Sequence, residues 1–176
     1  MPNLTPFAMI AVGAMAFTTL PAYGVDFPKR KSGLWQITTR TTSGNIPPHT
    51  VQLCIDRKTD NAVQQAAVGA TKEHCSRNDL GRQGDQLIAD TVCKFGDITA
   101  TTHSVFTGDF DASYRVETSS KYEPPMAGVS EGSAIIEARW LSPCKPDQHP
   151  GDLILSNGLK ININDAPGMR PPPPKE

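Results

Sequence analysis

A chain of 176 residues is long enough for one ordinary domain, and its 17 basic and 18 acidic side chains leave a net charge of −1. That balance argues against the clustered basic surface that nucleic acid requires and against the polybasic patch that holds a protein on an anionic membrane. Aromatic residues are 6 % of the chain, so its core must be built mainly from aliphatic and small side chains.

The first element precedes the domain. Residues 7–20 (FAMIAVGAMAFTTL) are uncharged and dominated by apolar and small residues. The run is shorter than the ~20 residues that span a bilayer as a helix, and it has the length of the apolar region of a signal peptide. Pro21 follows, then Ala22-Tyr23-Gly24, with small residues at the two positions a signal peptidase reads. Cleavage after Gly24 is expected, making 1–24 a signal peptide and 25–165 a single domain in the periplasm or the medium. Residues 1–6 lack the usual basic side chains, so an uncleaved N-terminal anchor is the competing expectation. With no Cys near the cut, a lipid anchor is not indicated.

Along the domain, 33–40 (GLWQITTR) alternates Trp35, Ile37 and Thr39 with polar residues, which predicts a strand. The Gly and Pro residues of 42–49 predict a turn, and 50–56 (TVQLCID) a second strand. Residues near 59–69 are rich in Ala and Gln, with Thr59 or Asp60 available as a cap, and predict one short helix of about three turns. Extended segments follow at 74–82, 86–95, 97–106, 112–121 and 133–141, rich in Val, Ile and Thr. Turn chemistry separates them at Gln83-Gly84-Asp85, Phe95-Gly96-Asp97, Thr107-Gly108-Asp109 and Glu123-Pro124-Pro125. Short apolar pieces at 153–155 and 159–163 flank Asn157-Gly158, a strong turn pair. The last residues, 166–176 (APGMRPPPPKE), are expected to be a disordered Pro-rich tail.

No helices of 10–15 residues separate the late strands, which argues against parallel βαβ units. The expected fold is mainly β, an antiparallel meander curled into a partial or closed barrel that hides its strand edges. Two stacked sheets are the alternative.

The four cysteines are Cys54, Cys75, Cys93 and Cys144. An even number behind a signal peptide reads as two disulfides, with three possible pairings. No C-x-x-C spacing supports a zinc site or thiol exchange. Gly84 is equidistant from Cys75 and Cys93 and lies in a hairpin-like segment, so these two should face each other on paired strands. Cys54 is then left with Cys144.

Several short motifs occur in a characteristic order: K-x-G-L-W-x-I-T from Lys31, Q-L-C-I-D ending at Asp56, V-C at Val92-Cys93, T-G-D-F from Thr107 with Tyr114 behind it, A-R-W-L-S-P-C from Ala138, and P-G-D at Pro150. In these the chain resembles the DUF3617 family of bacterial envelope proteins, over about 33–165, with Ser142 where a Gly is usual. The resemblance implies export and a conserved domain, and it implies no catalytic residues, since none is established for the family.

Chemistry-bearing residues are few. His49, His74, His103 and His149 form no close ligand pair, and no metal or cofactor is expected. Ser142-Pro143-Cys144-Lys145 matches S-x-x-K, but its prolines oppose the helix that pattern needs. Asp85, Asp90, Asp97, Asp109 and Asp111 occupy turns and strand edges. Trp35 and Trp140 either fill the core or line a ligand cavity. Two functions of different class follow. One is a module whose concave sheet, with Trp35 or Trp140, holds a small apolar ligand. The other is a structural or interaction module that offers a strand edge to an envelope protein. Catalysis ranks behind both. Neither reading involves nucleic acid or an integral span after cleavage.

Overall fold

The protein is described by a computed structural model over residues 26–42 and 46–165. The expected signal peptide, the cleavage residues Ala22 and Gly24, and the Pro-rich tail lie outside the described residues. The elements are β1 (Gly33–Thr41), β2 (His49–Ile55), α1 (Arg57–His74), β3 (Cys75–Gln83), β4 (Gln86–Phe95), β5 (Ile98–Gly108), β6 (Ser113–Met126), β7 (Val129–Ser142), β8 (Asp152–Ile154) and β9 (Lys160–Asn162), closed by a 3-10 turn at Ile163–Asp165.

The strands form one antiparallel sheet in the order β3-β4-β5-β6-β7-β1-β2-β8-β9. The meander expected from 74 to 141 is present as β3 to β7, and β1 returns beside β7. The sheet does not close: β3 and β9 are its two edges, and no barrel ladder joins them. The reason lies in α1. It leaves β2 and packs against β3 and β4 at its far end. Eighteen residues at 1.5 Å each give a rod of about 27 Å, close to the ~29 Å of six strand spacings between β2 and β3. The helix therefore bridges the curl that edge pairing would have to close.

That helix is longer than its composition suggests. It starts after Asp56, whose carboxylate accepts from the Thr59 backbone N–H at 2.7 Å, so Asp56 is the cap and the expected caps Thr59 and Asp60 lie in the first turn. It continues past Gly69 until Cys75 enters β3.

Two further corrections concern turns. The β6–β7 hairpin does not turn at Glu123-Pro124-Pro125. The prolines prolong β6, and the chain reverses at Ala127-Gly128, where φ is 49° and 83°, the paired positive values of a type I′ turn. The β3–β4 hairpin turns at Gly84-Asp85 rather than about Gly84 alone, since Gln83 pairs with Gln86. Continued regularly, that register would miss Cys93 by one residue. A bulge at Ser76 absorbs the offset and brings Cys75 opposite Cys93. Both disulfides have the expected partners, Cys75–Cys93 and Cys54–Cys144.

The densest packing lies where β1, β2 and β7 meet: Trp35, Leu53, Ile55 and Ala138 form the buried cluster, with Ile37, Tyr114, Trp140 and Leu153 against it. Beyond β2, Asp152 is buried at the start of β8. Its carboxylate accepts from the His149 backbone N–H at 2.9 Å and the Asn162 amide at 2.9 Å, with Lys160 Nζ at 3.5 Å. Burial pushes its pKa up, but these partners outweigh burial and hold it below the usual carboxylate value.

Cys54–Cys144 closes a separation of 90 residues and Cys75–Cys93 one of 18, so loop entropy assigns them about 4.5 and about 3 kcal/mol. Replacing the Cys54–Cys144 pair by Ala should therefore lower denaturant stability by more than replacing the Cys75–Cys93 pair, and equal losses would refute that order. Asp152 has a depressed folded pKa, so its contribution is present above the ordinary Asp value of about 3.9 and is lost as pH falls through the folded value. Asp152→Asn should lower the thermal midpoint at pH 7, and the gap to the parent should shrink in strong acid.

Candidate functional site

Strand register sorts the side chains of the five central strands, β4, β5, β6, β7 and β1, onto two faces. Trp35 is opposite Trp140 and Leu53, and Tyr114 is opposite Ala138, which is opposite Ile37. These residues mark the inner face. The next row is Phe106, Val116, Ile136 and Thr39. After it come Ala89, Ser104, Thr118, Ala134 and Thr41, and then Thr91, Thr102, Ser120 and Gly132. The inner face thus starts in aromatic residues and passes into a floor of small and hydroxyl side chains. On this floor Thr102 hydrogen-bonds Ser120 at 2.8 Å and Ser104 bonds Thr118 at 3.0 Å. Thr41 Oγ1 is buried and has no hydrogen-bond partner among the described residues.

The aromatic end is held by the segment that precedes β1. Trp35 Nε1 donates to the Lys31 carbonyl at 2.7 Å, and Trp140 Nε1 to the Ser32 carbonyl at 3.0 Å. Gly33 makes the second approach possible, because a Cβ there would collide with the Trp140 indole and the Ser142 carbonyl. Lys31 Nζ sits 3.9 Å above the Trp140 ring. Tyr114 lies 5.6 Å from Trp35 and stacks on Phe110 at 5.0 Å. Phe27 meets Phe106 edge-on at 5.3 Å.

Arg30 and Asp60 fasten this segment to the helix. Asp60, in the first turn of α1, is almost wholly buried; its carboxylate accepts from Arg30 Nε at 2.7 Å and from the Arg30 backbone N–H at 3.0 Å. Arg30 Nη1 reaches the Tyr114 hydroxyl at 3.4 Å, and Gln64 donates to both Asp60 and the Pro28 carbonyl. Burial works against the Arg30 charge, yet Tyr114 and Asp60 more than compensate and raise its pKa.

The outer face carries the charges. One groove of about 500 Å³ includes Arg77, Asp90, His103 and Lys121, with His103 Nδ1 2.7 Å from Asp90. Another of about 620 Å³ includes Arg40, Arg115, Glu137 and Arg139. There Glu137 pairs with both Arg40 and Arg115, and the hydrogen bond from Arg40 is the main reason its pKa is lowered. These pairs are open to solvent, where such contacts are worth little, and they read as a hydrated face.

The remaining sequence candidates have structural roles. Ser142 Oγ donates to the Pro143 carbonyl at 2.8 Å, and β7 ends at Ser142, so the S-x-x-K match is not on a helix. Asp109 Oδ1 accepts from the backbone N–H groups of Asp111, Ala112 and Ser113 and shapes the β5–β6 loop. Among the described residues no three His, Cys, Asp or Glu side chains gather as a metal site, and no helix is long and apolar enough to cross a membrane. Trp35 is 0 % exposed and belongs to the core, whereas Trp140 keeps some surface. Sequence reasoning missed the Arg30–Asp60 pair, naming Asp60 only as a possible helix cap, and it missed the hydroxyl rows.

The model of the DUF3617 family, proteins of unknown function, matches residues 30–144. The chain belongs to this family. The match runs from Arg30 to Cys144 and takes in all four cysteines and both tryptophans, while β8 and β9 lie beyond it. No curated protein and no solved structure matches the chain.

Breaking a buried ion pair from one side leaves an uncompensated charge and costs about 3–5 kcal/mol. Asp60→Ala should therefore destabilise the protein by an amount in this range in urea unfolding. Adding Arg30→Met should recover part of the loss. A single variant within about 0.5 kcal/mol of the parent would show that the pair carries no such weight.

Proposed function

We propose that this is an exported protein of the periplasm or the medium that binds a small lipid-like molecule between the inner face of its sheet and α1. The observation that carries the reading is the floor formed by Ala89, Ala100, Ala134 and Gly132 among the hydroxyl residues. Small side chains there lower the floor facing α1, whose main contacts are with β3, β4 and β2, toward the two ends of the curl, and Ala89 and Ala100 are buried beneath it. Apolar walls bound this floor: Val116, Ile136 and Phe106 on one side, Tyr122 and Ile98 on the other. A concave, mostly apolar surface with a few convergent polar groups is the usual form of a small-molecule site. Trp140 is the tryptophan suited to sense an occupant, with Trp35 supporting it from the core. Two disulfides accord with an oxidising compartment.

A second reading rests on β3, a nine-residue edge strand with an unpaired side available to a partner strand. Arg77, Asp79 and Arg82 lie along it, and charged residues on an edge oppose indiscriminate pairing.

Cell fractionation should recover a chain beginning at Val25 from the periplasm or the medium. Native mass spectrometry of that material should show an adduct of lipid mass that departs on unfolding. Chain-length series of amphiphiles should shift the Trp140 emission, read in a Trp35→Phe background. A bare protein that no amphiphile perturbs would transfer the function to the β3 edge.

A further inference from the structure

The charge pattern of the inner face bears on the chemical class of that ligand, and the argument rests on the lipid-binding reading above. On β1, β4, β5, β6 and β7 every Lys, Arg, Asp, Glu and His falls on the outer parity of the register. Arg40, Asp90, His103, Arg115 and Glu137 are examples, and no inner position of these five strands carries a charge. The charged group that does reach inward, Arg30, is already bound to Asp60 and Tyr114. Arg82 and His49 lie at exposed positions on strands flanking these five, and Lys31 is exposed above Trp140.

We infer that the trough takes an uncharged amphiphile, one whose polar atoms are alcohol, ester or amide groups, and rejects a carboxylate, phosphate or sulfonate at the same depth. An ion moved into this trough would lose its water without meeting a counter-charge, a cost of several kcal/mol. Hydroxyl groups suit a neutral polar atom. Each Ser or Thr offers one donor and two acceptor lone pairs, so a pair such as Thr102–Ser120 spends one O–H on itself and keeps another to give. Ser104–Thr118 does the same one row away, and Thr41 Oγ1, in that row, is buried with no partner among the described residues. A neutral oxygen or amide of the ligand would satisfy these groups.

The test uses the full mature chain and competition against a fluorescent apolar probe. A long-chain alcohol and the matching monoglyceride are compared with an alkyl sulfonate of equal chain length, which stays charged at every working pH. The alcohol and monoglyceride should bind at least about tenfold more tightly than the sulfonate. In the double variant Thr102→Val, Ser120→Ala, that preference should fall severalfold while displacement by a plain alkane is retained, showing that the trough is still formed. A sulfonate that competes as well as the alcohol would overturn the inference and leave the lipid-binding reading standing. An undiminished preference in the double variant would overturn the assignment of the polar contact. Probe binding displaced by none of these compounds, the alkane included, would remove the lipid-binding reading and this inference with it.

Discussion

The buried contact between Arg30 and Asp60 holds together parts that nothing else in the described chain joins as closely. Arg30 belongs to the segment before β1, Asp60 to the first turn of α1, and Tyr114, which Arg30 also touches, to β6. An exposed ion pair would add little, but this one is shielded and is completed by a backbone N–H and the Gln64 amide. Once Arg30 is in place, the carbonyls of Lys31 and Ser32 are positioned for the two indoles, and Phe27 reaches Phe106. The helix is thereby fixed over the inner face at its start, and Cys75–Cys93 holds the strand into which its far end runs.

A curled sheet that does not close must keep one face from water and expose the other, and strand parity does this work. A slip of one residue would carry Trp35 and Val116 outward and bring Arg115 and Glu137 inward. Two bulges protect against that outcome. Ser76 restores the parity of β3 at the disulfide. An extra residue at Leu141 allows Leu34 to pair with Ser142 while Trp35 remains opposite Trp140. The same parity makes the inner face free of charge, so the ligand chemistry proposed for it and the stability of the sheet come from one constraint.

The sequence by itself determined the strands, the meander and the Cys75–Cys93 pairing, because each is encoded locally, and Cys54–Cys144 followed by elimination. Alternation over 33–40 and the Val, Ile and Thr content of 86–95 mark strands, Gly84 and Gly96 supply the positive φ that tight hairpins need, and the midpoint of Cys75 and Cys93 falls within one residue of their turn, an offset the bulge at Ser76 absorbs. What tertiary structure decided is what depends on contacts distant along the chain. Arg30 is one of three consecutive basic residues, Lys29-Arg30-Lys31, and what sets it apart from its neighbours is Asp60, thirty residues away. Pro124 and Pro125 signal a turn, yet the long β6–β7 ladder carries the strand past them to a better one at Ala127-Gly128. The helix outruns Gly69 because it must cross from β2 to β3, and by crossing it keeps the sheet open. Ser104, Thr118, Thr102 and Ser120 are ordinary strand residues in sequence. They become a polar floor only because registers set by different hairpins place them side by side, and no local pattern contains that information.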